Sequence, residues 1–222
     1  MLNFSNVMEI THLGHSSFKI RGKTATLITD PFDPAMLGLK FPKAEADIVT
    51  ISHEHPDHNN SEIVGGNPVL VSGPGEYEIK KVKIIGVGVF HDKEFGEKRG
   101  TNTIYHIDMD GISIVHTGDL GHELGEKEIE LLDGVDILLV SVGGVFTIDA
   151  SEAVKLVSKL EPKIIIPMHY REIKGDAKFY QNLSPVEDFL TQMGKTGIGS
   201  VTKLVVTKDK LPAEQTVVVL DS

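Results

Sequence analysis

Apolar and polar residues alternate in short runs through the first half of the chain, the period of two that marks a strand with one buried face. On that pattern strands are expected at Met8 to Leu13, Ser17 to Arg21 and Thr24 to Thr29, with Gly22-Lys23 as a tight turn joining the last two. A stretch rich in proline, glycine and lysine from Asp30 to Ala46 reads as loop, and Asp47 to Ser52 (DIVTIS) as a short apolar strand. Further strands follow at Val69 to Ser72, Val82 to Phe90, Thr103 to Asp108 and Ile112 to Thr117, where Asp110-Gly111 is a good hairpin signal. From Gly125 the pattern changes and helix alternates with strand: Glu126 to Leu132 before Val135 to Ser141, Ser151 to Leu160 before Lys163 to Pro167, and Pro185 to Met193 before Lys203 to Thr207. Asp149 or Ser151 is placed to cap the middle helix, whose apolar face is Ala153, Val154, Leu156, Val157 and Leu160. Thr216 to Leu220 closes the chain as a last strand.

No Pro-, Ser- or Gly-rich linker divides this series, so the sequence predicts one α/β domain over residues 1–222. Two facing sheets with helices outside are compatible with it. The 40% hydrophobic and 24% charged content is that of an ordinary globular chain, and no apolar run approaches the roughly 20 residues of a membrane helix, so no membrane span is expected. Met1 to Val7 has neither a basic nor an apolar leader pattern, which makes a cytoplasmic location the expectation. With 22 basic against 32 acidic residues the formal charge is −10, the wrong sign for a phosphate-backbone binder, and tryptophan is absent. The expected partner is therefore a small-molecule substrate and not nucleic acid; a homo-oligomer is neither required nor excluded. There are no cysteines, so any metal must be held by nitrogen and oxygen.

That last point matters because the DIVTIS strand runs directly into His53-Glu54-His55-Pro56-Asp57-His58, four metal-competent side chains within six residues. Divalent zinc or manganese takes imidazole and carboxylate ligands, and a catalytic ion also needs an open position for water. Pro56 argues for a loop, and a loop after a strand can turn such closely spaced side chains toward one point. The bland alternative is a solvated histidine-rich turn. Against it, candidate ligands recur at later strand ends: His91 after VGVF, Asp119 after SIVHTG and His169 after IIIPM.

Together with Leu13-Gly14-His15-Ser16, Thr29-Asp30-Pro31, His116-Thr117-Gly118-Asp119 and Pro167-Met168-His169-Tyr170, the HEHPDH run resembles the metallo-β-lactamase-fold superfamily. The resemblance is to the branch that includes ascorbate-6-phosphate lactonase and N-acyl phosphatidylethanolamine phospholipase D. It implies a four-layer αββα sandwich with two divalent metal ions, zinc or alternatively manganese, at one edge. Carried over by position, it makes His53, His55 and His91 ligands of one ion and Asp57, His58 and His169 ligands of the other, with Asp119 bridging and Asp30 supporting. The implied activity is hydrolysis of an ester, lactone or phosphoester by a metal-bound hydroxide, which Asp57 would orient while His122 protonates the leaving group.

Two other readings remain at this point: a diiron redox enzyme of the same fold, disfavoured by His55 where related diiron proteins carry a carboxylate, and a metal-stabilised binding protein without catalysis. Among the other histidines, His116 competes with His91 for the third position, His15 and His122 are candidates to line the cleft, His106 reads as locally hydrogen-bonded, and His12 is given no function. Gly73-Pro74-Gly75, Gly86 and Gly88 read as turns and close packing and not as a nucleotide loop. Arg99, Asn102, Lys40, Lys43 and Lys93 flank the candidate ligand loops and could bring positive charge to the cleft, with solvated surface charge as the simpler reading.

Overall fold

The computed structural model describes residues 7–222. The alternating N-terminal segment forms β1 (Met8–Gly14), β2 (Ser17–Arg21) and β3 (Thr26–Thr29), each antiparallel to the one before, and β4 (Ile48–Ile51) and β5 (Val69–Ser72) continue the sheet in parallel. A second sheet begins as an antiparallel meander of β6 (Gly75–Ile79), β7 (Val82–Phe90), β8 (Thr101–Met109) and β9 (Ile112–His116), then adds β10 (Ile137–Ser141) and β11 (Ile164–Met168) in parallel. The chain crosses back as β12 (Leu204–Val206), antiparallel to β1, and ends with β13 (Thr216–Val217) beside β11. The spatial orders are β12-β1-β2-β3-β4-β5 and β13-β11-β10-β9-β8-β7-β6.

The inner faces meet through wholly buried side chains, Ile10, Phe18, Ile20, Leu27 and Ile48 from the first sheet against Ile84, Tyr105, Ile107, Ile114, Leu139 and Ile166 from the second. Beyond the first sheet, α1 (Pro34–Leu37) and the loop after it cover Ile28, Val49 and Ile51. Beyond the second, α2 (Glu126–Leu131) and α3 (Ala150–Leu160) lie over Leu138, Val140 and Ile165. α3 opens with a capping box, in which the Asp149 carboxylate accepts from the Glu152 amide at 2.9 Å and the Glu152 carboxylate accepts from the Asp149 amide at 3.0 Å. The short α4 (Ala177–Tyr180) joins the first outer layer through Tyr180, and α5 (Val186–Gln192) joins the second through Phe189 and Leu190. The result is the four-layer αββα sandwich that the motifs implied. Among the described residues no helix is long and apolar enough to cross a membrane.

Three local readings differ from the sequence pattern. β3 starts at Thr26, because Gly22 to Ala25 form a four-residue loop whose Thr24 amide and hydroxyl bond the Asp110 carboxylate. β6 was not expected; its hairpin to β7 turns on Lys80-Lys81, both at positive φ (50° and 62°), a turn without the glycine or asparagine that usually announces it. The last strand shortens to Thr216–Val217, with Leu220 making only an isolated bridge to Val201.

Candidate metal centre

Strand direction decides which residues can meet. β1, β3 and β4 run parallel in the first sheet, and β7, β9, β10 and β11 run parallel in the second, since each pair is adjacent and parallel or separated by one antiparallel strand. His15, Asp30, the 53–58 loop, His91, Asp119 and His169 all follow the carboxyl ends of these strands, the edge where open α/β sheets present their ligand sites.

At that edge the nitrogen and oxygen donors form three overlapping groups. His53, His55 and His91 make one, His15, Asp57, His58 and His169 a second, and His53, His58 and Asp119 a third, with the donor atoms of each group within 4.8 Å of one another. Asp119 is the centre: its carboxylate lies 3.3 Å from His58 Nε2, 3.4 Å from His91 Nε2, 3.2 Å from His169 Nε2 and 4.0 Å from His53 Nε2. His15 Nε2 is 3.4 Å and His58 Nε2 3.6 Å from Asp57 Oδ2.

A buried carboxylate behind the cluster fixes two of the rings. Asp30 accepts from the Ser52 hydroxyl at 2.6 Å, the Ser52 amide at 2.8 Å and His58 Nδ1 at 2.8 Å. Because the Ser52 hydroxyl gives its proton to Asp30, its oxygen accepts from His53 Nδ1 at 2.9 Å. Both Nδ1 atoms are thereby protonated, and both Nε2 atoms face the cluster. Asp119 is held by its amide, which donates to Asn102 Oδ1 at 2.9 Å, while Asn102 Nδ2 donates to the Thr117 carbonyl at 2.9 Å. Gly118 between them has φ 52°, and a Cβ there would run into Ser52 and Asn102, so only glycine lets the loop pass.

The electrostatics suit divalent cations. Burial pushes the His53 and His15 imidazoles down to about 3 and also lowers His91, which keeps their lone pairs available. Burial alone would raise Asp119, but the His169 and His58 rings hold it well below the usual carboxylate range. Burial works against Asp57 in the same way, and His58 and His15 outweigh it. For His58 burial is outweighed by Asp119 and Asp57, which raise it. Asp30, Asp57 and Asp119 thus share the edge with the His15, His53 and His91 rings, whose charged forms burial disfavours. His15 Nε2, His53 Nε2, His58 Nε2, His169 Nε2 and Asp119 Oδ1 are moreover buried with no hydrogen-bond partner in the protein. Imidazole nitrogens, ionised carboxylate oxygens and buried donor atoms left without a hydrogen-bond partner are a donor set that zinc or manganese takes.

Other candidates fall outside the cluster. His116 is buried with Nε2 donating to the Ser16 carbonyl at 2.8 Å and Nδ1 accepting from the Gly118 amide at 3.3 Å, so His91 and not His116 meets Asp119. His122 is a correction to the sequence reading: its Nε2 accepts from the Phe90 amide at 3.1 Å and its Nδ1 donates to the Glu123 carbonyl at 2.8 Å, leaving no nitrogen to protonate a leaving group. It faces the hollow over α3 instead of the metal edge. His106 bonds Ser113 and the Leu131 carbonyl, and His12 stacks on Phe18. Lys40 and Lys43 are exposed, and Lys93 pairs with Glu152 at 2.5 Å. Arg99 reaches the cavity of about 220 Å³ that opens over Asp57, His55, His91 and Asp119. The one donor that the sequence left undecided and the structure brings in is His15.

The family model described as the beta-lactamase superfamily domain matches residues 9–169, which holds every donor named above. A protein of Thermococcus onnurineus named as a metal-dependent hydrolase is 32% identical over 195 residues, covering 74% of this chain and 85% of that one. A crystal structure from Thermotoga maritima, a candidate Zn-dependent hydrolase of the metallo-beta-lactamase superfamily, superposes with a TM-score of 0.78 at 37% identity, covering 96% of this chain and 98% of its own. A diiron beta-hydroxylase from Streptomyces venezuelae shares the fold alone, with a TM-score of 0.61 at 13% identity over 91% of this chain and 54% of its own. The chain therefore belongs to the beta-lactamase superfamily domain family and is a metal-dependent hydrolase of the metallo-β-lactamase fold.

Proposed function

We propose that the protein is a dinuclear hydrolase of an ester, lactone or phosphoester. The observation that carries this reading is the pair of donor groups sharing one edge, His53, His55 and His91 on one side and His15, Asp57, His58 and His169 on the other, with Asp119 beside both. His53, His55 and His91 would hold one ion and Asp57, His58 and His169 the other, with Asp119 between them; zinc suits this set best, with manganese the alternative. When bound, the ions supply Lewis acidity toward a carbonyl or phosphoryl oxygen and an activated water.

The chain's own contribution is orientation and charge. Asp30 and Ser52 set the tautomers of His58 and His53 and so aim their Nε2 atoms. Asp57 and Asp119, both kept ionised, line the cavity and can accept hydrogen bonds from a water poised to attack. Pro56, Met36, Phe146 and Phe179 wall the same cavity.

Elemental analysis of protein purified without added metal should find two equivalents of zinc or manganese per chain. Turnover of a generic lactone and a generic phosphodiester should fall at least 100-fold in Asp119→Ala and vanish on chelation. Full activity in stripped protein would overturn the reading, and two equivalents of iron with a reducible optical spectrum would turn it to redox chemistry.

A further inference from the structure

Among the described residues, Arg99 is the one lysine or arginine lining the cavity over the donors, and it has no ion-pair partner there. Lys93 is paired with Glu152 at 2.5 Å and Lys98 with Glu94 at 2.7 Å, whereas among the described residues the Arg99 guanidinium has neither a carboxylate within ion-pairing distance nor a side-chain hydrogen bond. It is half-buried, and its Cζ lies 4.4 Å from the centroid of the Phe146 ring. Stacking of this kind fixes the plane of the guanidinium while leaving its N–H edges open.

The backbone beneath it is fixed as well. The Asp92 carboxylate accepts from the amides of Glu94, Gly96, Lys98 and Arg99 at 2.8 to 3.0 Å, which folds the whole 92–99 loop around one side chain. Asp92 is therefore occupied with its own loop. The nearby Asp149 caps α3, so it too is engaged elsewhere. A guanidinium set over a ring and carried on a folded loop has part of the freedom that binding would remove already restricted. In a chain of formal charge −10, an unpaired arginine at the mouth of a carboxylate-rich cluster is the opposite of the prevailing field.

We infer that Arg99 binds an anionic group of the substrate, a carboxylate or a phosphoryl oxygen, while an apolar body of the same molecule lies against Phe146, Phe179 and Met36 and the scissile group faces Asp119. The substrate class is thus an anionic ester, lactone or phosphoester with a hydrophobic portion. Guanidinium suits both anion types because its parallel N–H pairs match two oxygens at once. This rests on the hydrolase reading for the position of the scissile bond, but the binding of the anion does not.

The test uses the metal-loaded full chain and reads binding apart from turnover. Calorimetry with benzoate, phenylphosphonate and neutral benzamide on wild type, Arg99→Gln and Arg99→Lys should show that the ratio of anion to benzamide affinity falls about 10- to 100-fold in Arg99→Gln, the worth of a charge-assisted hydrogen bond pair, and recovers in part in Arg99→Lys. Whichever of benzoate or phenylphosphonate loses more names the anion as carboxylate or phosphoryl. Turnover of 4-nitrophenyl acetate against mono-4-nitrophenyl succinate and 4-nitrophenyl phenylphosphonate then reads the same ratio in kcat/KM. An unchanged anion-to-benzamide ratio in Arg99→Gln overturns the inference. Arg99-dependent anion binding with no hydrolysis of any of these esters upholds it and overturns the ester reading of the substrate instead.

Discussion

Asp30 is wholly buried at φ 37°, a left-handed backbone that a non-glycine residue adopts only under constraint, and both its oxygens are engaged with Ser52 and His58. An aspartate that receives protons from two directions dictates which nitrogen of His53 and His58 is left for a metal. Asp30→Asn removes the charge and sets a donor either against the Ser52 amide or against the Ser52 hydroxyl and His58 Nδ1, so the anchor that orients the two rings is weakened. Metal affinity measured by chelator competition should fall on the order of 10- to 100-fold, as for other changes behind a ligand histidine, with the melting curve still cooperative. Equal affinity in both proteins would show that the rings are oriented by packing alone. The sequence made Asp30 and the HEHPDH donors legible because they follow strand ends in a recognisable order. His15 was harder to read, since a Gly-His-Ser turn looks the same whether the ring faces solvent or a metal edge; β1 running parallel to β3 decides it, and that pairing is long-range. The role offered for His122 failed because no sequence pattern records a backbone amide donating to an imidazole, as Phe90 does here.

At the level of elements, Asp136 ties three strands together at the end of the sheet remote from the donors. Its carboxylate accepts from the Ser113 amide at the start of β9 at 3.0 Å, from Lys163 before β11 at 3.1 Å and from Lys208 after β12 at 2.5 Å. Burial would raise its pKa, but the Lys208 contact and the Ser113 N–H lower it more. A carboxyl lowered on folding contributes stability above its unfolded value near 3.8, and that contribution is lost as pH falls through the folded value. Asp136→Asn should therefore lose about 1–2 kcal/mol in urea titrations at pH 7, toward the low end because both lysines are half exposed and screened. The gap between the two proteins should narrow as pH falls below 3.8, and a gap that stays constant over that fall would place the effect in packing instead of charge. Strands such as β7 and β10 were legible because their apolar runs are long and bounded by turns. β6 was not, because Gly75, Glu76 and Glu78 are exposed along an edge that buries little, and the Lys80-Lys81 turn carries none of the usual sequence marks.

For the whole molecule, the metal edge is a seam between sheets, with His15, Asp30 and the 53–58 loop supplied by the first and His91, Asp119 and His169 by the second. A seam that gathers Asp30, Asp57 and Asp119 in a chain of formal charge −10 favours the binding of divalent cations. Binding to the folded state alone must then stabilise both sheets together. At a free metal concentration 100-fold above Kd the linkage is worth about 2.7 kcal/mol for one site, and a chain of this size shifts by roughly 2–4 °C per kcal/mol. Metal-loaded protein should therefore melt about 5–10 °C above the stripped form, in one cooperative transition in each case if residues 1–222 fold as a single domain. Asp119→Ala, which removes the carboxylate standing between the two donor groups, should shrink that gap and also lower the melting point of the stripped protein, because His58 and His169 lose the carboxylate that they face. Calorimetric scans of both proteins with and without zinc would check this. An equal gap in wild type and variant would mean that the ion stabilises the fold from somewhere other than the Asp119 edge, and two separate transitions would divide the chain into independently folding halves.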